Sequence, residues 1–369
     1  VNEITVTRDP LAAREGLIRI GTRGSLLAVT QTTGVARLIA QATGVEVALV
    51  IITTQGDTSP APLAQLGGTG VFVSALRDAL IAGRCDLAVH SLKDLPTGDC
   101  PGIILGAIPP RVDPRDAFCG RDGLALGELP PGARVGTGSP RRGAQLKRSR
   151  PDLEVCDLRG NVDSRLARVG ADLDGVVLAA AGLTRIGRDA AITEYFPLAS
   201  TPTAPGQGAL AIEARSEDAF VGLIGQGLRA LDDPEARACA LAERSMLAEL
   251  EAGCQAPVAA WARLADGRLT LLGAVYRPDG SESREAQQAI SWPGSAQDPD
   301  DHADSTPSSR PGPLPDADAD AAATGLGIAI ARELLAHGAA ELAPLTLLTG
   351  ARLRAHAGAP LAHPTKDQR

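Results

Sequence analysis

Aromatic side chains are scarce in this chain of 369 residues: two Trp, two Tyr and four Phe amount to 2% of it. So few rings leave little for stacking on bases, and a net charge of −8 argues against a general nucleic-acid binder. The six cysteines (Cys85, Cys100, Cys119, Cys156, Cys239, Cys254) contain no Cys-x-x-Cys pair. The five histidines (His90, His302, His337, His356, His363) offer no zinc-ligand spacing, so no bound metal is expected. No apolar run approaches a membrane span, and the opening VNEITVTRDPLAAREG lacks an apolar signal core. These absences predict a cytoplasmic protein with thiol cysteines and neither a nucleic-acid nor a membrane partner.

What is present is uneven. Composition (44% hydrophobic, 22% charged, 41 Gly, 27 Pro) suits a soluble globular protein, and the length suits two or three domains. Yet Arg134 to Arg168 holds nine basic residues against four acidic ones. Ser139 reads as a helix N-cap, Pro140 suits the first helical position, and Arg141 and Arg142 follow at once. Asn161 similarly caps a segment carrying Arg165, just after Arg159. Cations in a first helical turn oppose the macrodipole's preference for acids, so helix stability explains them poorly. A bound anion explains them better than a solvated basic face, and a small anion better than a polyanion.

The same device opens the chain. Residues 1–16 read as a disordered extension, Leu17 to Ile20 as a strand, and Arg23-Gly24-Ser25 as a turn with a capping serine before a helix. Val45 to Ile52 is a continuous apolar strand leading into a long glycine-bearing loop, and Phe72 to Ala82 is helical. The strand Cys85 to Val89 delivers His90-Ser91-Leu92-Lys93-Asp94-Leu95-Pro96 at its carboxyl end, where the crevice of an open α/β sheet lies. There Asp94 is either a functional carboxylate or a turn residue, whereas His90 reads as structural.

Stiff residues 109–114 suggest an interdomain connection. A second series follows, with a strand at Gly175 to Ala179, a turn carrying Arg185, and a strand at Ala209 to Ala214. The expected organisation is therefore two α/β lobes facing across a cleft, the first from 17–110 with 209–229 and the second from 111–208. A smaller α+β domain over 230–350 begins with an Asp233-capped helix, has Asp-Gly turns at 266–267 and 279–280, and ends in a helix at Ala321 to Ala336. Residues 291–320 read as a disordered insertion, and 351–369 as a tail.

Seven ordered motifs then coincide: Arg23-Gly24-Ser25, HSLKDLP, GTGSPRR, LRGN followed by Arg165, AGLTR, APGQGA and GCQAP. Over roughly residues 17–290 the chain resembles the porphobilinogen deaminase (hydroxymethylbilane synthase) family. The resemblance implies two lobes like those of periplasmic binding proteins plus a third domain, a monomer, and a dipyrromethane cofactor held by a thioether to Cys254. It implies head-to-tail condensation of four porphobilinogen molecules, with release of ammonia, on the route to haem and other tetrapyrroles. By it, Arg23, Ser25, Lys93, Asp94, Ser139, Arg141, Arg142 and Arg159 bind cofactor, while Arg23, Ser25, Arg159, Arg165 and Arg185 bind substrate. By the same resemblance Asp94 is the expected catalytic residue, opposite the cation formed as ammonia leaves. One departure lies in the loop LAQLGGTGVF, where the family often has lysines at the positions of Gln65 and Thr69. A non-catalytic, two-lobed anion-binding protein is the competing reading. It accounts for the arginines but not for a cysteine in a Gly-Cys-Gln-Ala-Pro loop.

Overall fold

The computed structural model describes residues 4–53, 70–252, 256–292 and 316–343. Two α/β sheets are followed by a third unit built from an antiparallel sheet and two helices. The first sheet has six strands in the order β1 (Thr5–Thr7), β3 (Glu46–Ile51), β2 (Leu17–Thr22), β4 (Leu87–Ser91), β11 (Leu210–Arg215), β5 (Ile103–Ala107). The β1 to β4 strands pair in parallel, and β11 runs against both β4 and β5. Buried Ile18, Ile20, Val47, Leu49, Leu87 and Val89 form its core, covered by α1 (Leu26–Thr43). On the other face α2 (Gly70–Ile81) packs through Leu76, Ala79 and Leu80.

The second sheet has the order β10 (Glu194–Tyr195), β6 (Asp116–Gly120), β9 (Gly175–Ala179), β7 (Arg134–Thr137), β8 (Glu154–Asp157). Its helices α3 (Pro140–Ser149), α4 (Val162–Leu166) and α5 (Ala180–Arg185) each start at or just after a strand's carboxyl end. The chain passes between the two sheets twice, at residues 108–115 and 196–209. After α6 (Gly222–Leu231), the third unit comprises α7 (Pro234–Glu249), the meander β12 (Val258–Ala265), β13 (Arg268–Tyr276), β14 (Ser283–Ser291), and α8 (Ala317–Ala336). Asp266 and Gly267, both at positive φ (51° and 66°), make the tight β12–β13 turn. Helices α7 and α8 touch through Gly327, where a Cβ would stand 2.3 Å from the Ala242 carbonyl oxygen, so only glycine permits that approach.

Two expectations need correction. Residues 4–16 are not wholly an extension, because the β-branched Thr5–Thr7 segment adds a parallel edge strand to β3 and Ile4 packs on the core. The insertion expected over 291–320 is ordered at both ends. Ser291 closes β14, Trp292 is buried, and Asp316 accepts hydrogen bonds from the backbone N–H groups of Asp318 and Ala319 to start α8 four residues early. Its Asp-rich composition suits a helix N-terminus as well as it suits a coil. Cys119 is buried within β6.

Candidate active site

The strand ends on which the sequence placed its candidates carry them in the structure. Ser25 caps α1, accepting from the Ala28 N–H at 3.3 Å, with Arg23 half-buried on the turn before it. Ser139 caps α3, accepting from the Arg142 N–H at 3.5 Å, and Asn161 caps α4, accepting from the Ser164 N–H at 2.8 Å. Lys93 and Asp94 lie on a 3₁₀ turn (Leu92–Asp94) directly after β4. Its position is set by backbone bonds, Leu92 N–H to the Ala209 carbonyl and Leu95 N–H to that of Leu92.

Around that turn the cations crowd. Burial and the neighbouring Arg142 push the Lys93 ammonium down to about 8, against the pull of Asp94 and Asp116. Burial, then Arg142 and Arg159, likewise lower Arg165, with Asp157 and Asp94 pulling the other way. Arg185 is pushed down to about 10 by burial, its guanidinium donating to the Gly208 carbonyl at 2.9 Å. Exposed Arg159 donates to Asp157 at 3.2 Å. Among the described residues the Asp94 carboxylate makes no hydrogen bond or ion pair, although Lys93 and Arg165 both feel its charge. A half-buried carboxylate beside Lys93 and Arg165, two cations whose charge is disfavoured by burial and by Arg142, forms a site that would be stabilised by a polycarboxylate with N–H groups.

Arg141 departs from the expectation of a cleft-facing clamp. Only 2% exposed, it donates to Asp116 Oδ2 (2.7 Å), Gln145 Oε1 (2.7 Å) and the Pro202 carbonyl (3.3 Å). Gln145 in turn donates to the Tyr276 hydroxyl at 3.2 Å, so this arginine ties the second sheet to the third unit. Arg142 shares the Asp116 carboxylate through Nε (2.9 Å) and Nη2 (2.7 Å). Burial alone would raise the Asp116 carboxyl, but the two guanidinium groups hold it well below the usual carboxylate range.

Sequence reasoning missed Asp116 and gave Gln207 no role within APGQGA. The Gln207 side chain donates to Asp116 Oδ1 (2.7 Å) and the Pro114 carbonyl (2.8 Å), and accepts from Arg142 (3.2 Å) and Lys93 (3.3 Å). It thereby joins cations from both sheets at the second crossing of the chain. The available signal was a lone polar residue in an apolar stretch, as in DAFCG at 116–120. His90 is buried beside Glu213 at 3.1 Å, in keeping with a structural role. Cys254, Gln65 and Thr69 lie outside the described residues. Among the described residues no group of three or more His, Cys, Asp or Glu could hold a metal ion, and no helix is long and apolar enough to cross a membrane.

The family model "Porphobilinogen deaminase, dipyromethane cofactor binding domain" matches residues 18–222, and "Porphobilinogen deaminase, C-terminal domain" matches 237–303. Porphobilinogen deaminase of Leifsonia xyli subsp. xyli is 54% identical over 342 residues, 92% of this chain and 98% of that protein. The namesake of Thermobifida fusca is 54% identical over 274 residues, 74% of this chain and 85% of that protein. A solved methionine-binding protein, MetQ, overlaps 58% of this chain and 90% of its own at 12% identity, with a TM-score of 0.39 too low to bear on fold or ligand. With one family model covering more than half its length and relatives identical at over half the aligned positions, the chain belongs to the porphobilinogen deaminase family.

Proposed function

We propose that the residues gathered around Asp94 carry out the reaction of the family. The enzyme joins four porphobilinogen molecules head to tail into hydroxymethylbilane, releasing ammonia at each step. The observation that carries the residue-level reading is the Asp94 carboxylate just after a strand end, without a hydrogen bond or ion pair among the described residues and close enough for its charge to act on Lys93 and Arg165. Loss of ammonia from a porphobilinogen leaves a cationic azafulvene, and a fixed carboxylate opposite it stabilises that charge as it develops. Each pyrrole carries an acetate and a propionate, for which Arg23, Arg142, Arg159, Arg165, Arg185 and Lys93 supply the counter-charges and Ser25 and Ser139 supply hydroxyls. Arg141 belongs to this reading as a strut that holds Arg142 through Asp116.

The same residues fit a dipyrromethane: its carboxylates match the cations, and its pyrrole N–H groups match the acceptor atoms of Asp94. Bound by a thioether to Cys254, that group would supply the nucleophilic pyrrole carbon that starts the chain. We read the protein as a cytoplasmic monomer, with lobes at 17–110 plus 209–229 and 111–208, and a third domain at 230–350.

The experiment is intact-mass measurement and peptide mapping of wild type and Cys254→Ser. Wild type is expected to carry two extra pyrrole units on the peptide containing Cys254, and the serine variant none, with no turnover. A bare wild-type polypeptide would favour the anion-binding protein, and an adduct on another cysteine would move the attachment point.

A further inference from the structure

Helix α7 presents one face to the Asp94 turn. Ala236, Ala240 and Arg244 are spaced four apart and so lie along one stripe of the helix. Buried Ala236 and Ala240 belong to one apolar cluster with Leu92 and Leu95, the residues that bracket Lys93 and Asp94. Next along the stripe, Arg244 donates from Nη1 to the Leu95 carbonyl and from Nη2 to the Pro96 carbonyl, each at 2.8 Å. No carboxylate pairs with this guanidinium among the described residues. Burial lowers it to about 10, with Glu213 pulling up and Arg77 pushing down. An arginine that bears a desolvation cost without an acid partner is poorly explained as a surface charge or an ion-pair member. What it does hold is the backbone immediately after Asp94. A guanidinium fork suits this task, because two parallel donors fix two successive carbonyls in direction as well as distance.

The consequence comes from where α7 leads. Its last helical residue is Glu249, five residues before Cys254, so one rigid element grips the Asp94 turn and runs into the segment holding that cysteine. We propose that Arg244 is a positioning residue for Asp94, fastening the catalytic turn of the first lobe to the cysteine-bearing unit. Side-chain packing by Ala236 and Ala240 gives the turn a floor, and Arg244 sets its angle. Displacement of a catalytic group by about 1 Å can cost on the order of a hundredfold in rate, so a fastening of this kind acts on turnover rather than on binding. The proposal rests on the reading of Asp94 as the carboxylate at the reacting centre.

The test uses purified full-length enzyme carrying its cofactor, in four forms: wild type, Arg244→Gln, Asp94→Asn and the double variant, with Arg244→Lys alongside. Intact mass and thermal midpoint establish that each is folded and loaded. Arg244→Gln is expected to lower kcat about tenfold or more with KM nearly unchanged. Arg244→Lys, able to reach one carbonyl at a time, should recover part of that loss. In the Asp94→Asn background Arg244→Gln should cost less than about twofold, because the group it positions is already disabled. Equal losses in both backgrounds, or a loss confined to KM or to cofactor retention, would overturn the proposal and leave Arg244 a general prop. Normal turnover by Asp94→Asn would overturn it differently, by removing the reading on which it rests. Should Arg244→Gln fail to fold, the same comparison with Arg244→Lys decides the matter by the same criterion.

Discussion

Glu243 and Arg111 form a two-pronged ion pair, with Nη1 to Oε1 at 2.7 Å and Nη2 to Oε2 at 3.1 Å. Glu243 lies on α7 and is wholly buried, while Arg111 lies on the first crossing between the sheets. The same carboxylate accepts from the Gly206 N–H on the second crossing (2.6 Å) and the Ala262 N–H on β12 (2.7 Å). One side chain thus holds both crossings to the third unit.

Glu243→Gln is expected to destabilise the protein by roughly 3–5 kcal/mol, the cost of leaving one member of a buried pair uncompensated. A denaturant titration checks this: the midpoint should fall while the slope stays unchanged. A midpoint within error of wild type would show that the pair is replaceable by a neutral amide.

Asp116 makes stability depend on pH. Its folded value lies below the ordinary 3.8, so between the two values the unfolded chain binds more protons than the folded one. The contribution is therefore complete above about pH 4 and is lost as pH falls through the depressed folded value. Asp116→Asn should melt well below wild type at pH 7, and the gap should narrow as pH falls below about 4. Melting temperatures from pH 7 to pH 2 test it; a gap that stays constant would mean the carboxylate's charge is not what Arg141 and Arg142 need.

Arg141 and Arg159 should respond oppositely to lysine. Arg159→Lys changes an exposed group, so stability is expected to hold within about 0.5 kcal/mol. Loss of a bidentate carboxylate contact should still cost roughly 1.5–3 kcal/mol in kcat/KM. Arg141→Lys breaks a buried three-acceptor network, and its first effect should be a lower melting temperature. Both variants are compared by melting and by steady-state kinetics, and a reversal of the two patterns would return Arg141 to the cleft.

Lys93 supplies a second pH signature. With its ammonium near 8, the cation is mostly lost at pH 9, and its hold on a substrate or cofactor carboxylate goes with it. KM for porphobilinogen is expected to rise between pH 7.5 and 9 in wild type, by about an order of magnitude at most. Lys93→Arg, which stays charged, should flatten that limb. An identical rise in both proteins would assign it to another group.

Much of the site was fixed by local chemistry. Serine, asparagine and aspartate are favoured helix caps, so Ser25, Ser139, Asn161 and Asp233 could be read from the chain, as could the apolar strands that deliver Asp94 and Arg185. The ordered motifs around them sufficed for the family. What local chemistry could not decide is where a long side chain ends. Arg141 and Arg142 are adjacent and identical in type, yet Arg141 turns toward Gln145 and Pro202, while Arg142 reaches Gln207 and lies close enough to shift Lys93. Their shared acid, Asp116, is twenty-five positions from Arg141, and Gln207 is ninety-one positions from Asp116. The first end of the supposed insertion and the opening extension became ordered for the same reason: Trp292 and Ile4 found apolar surface supplied by distant segments. Caps and strands depend on neighbours within a few residues; ion-pair partners and edge strands depend on which distant surfaces folding brings together, and only the tertiary structure decides that.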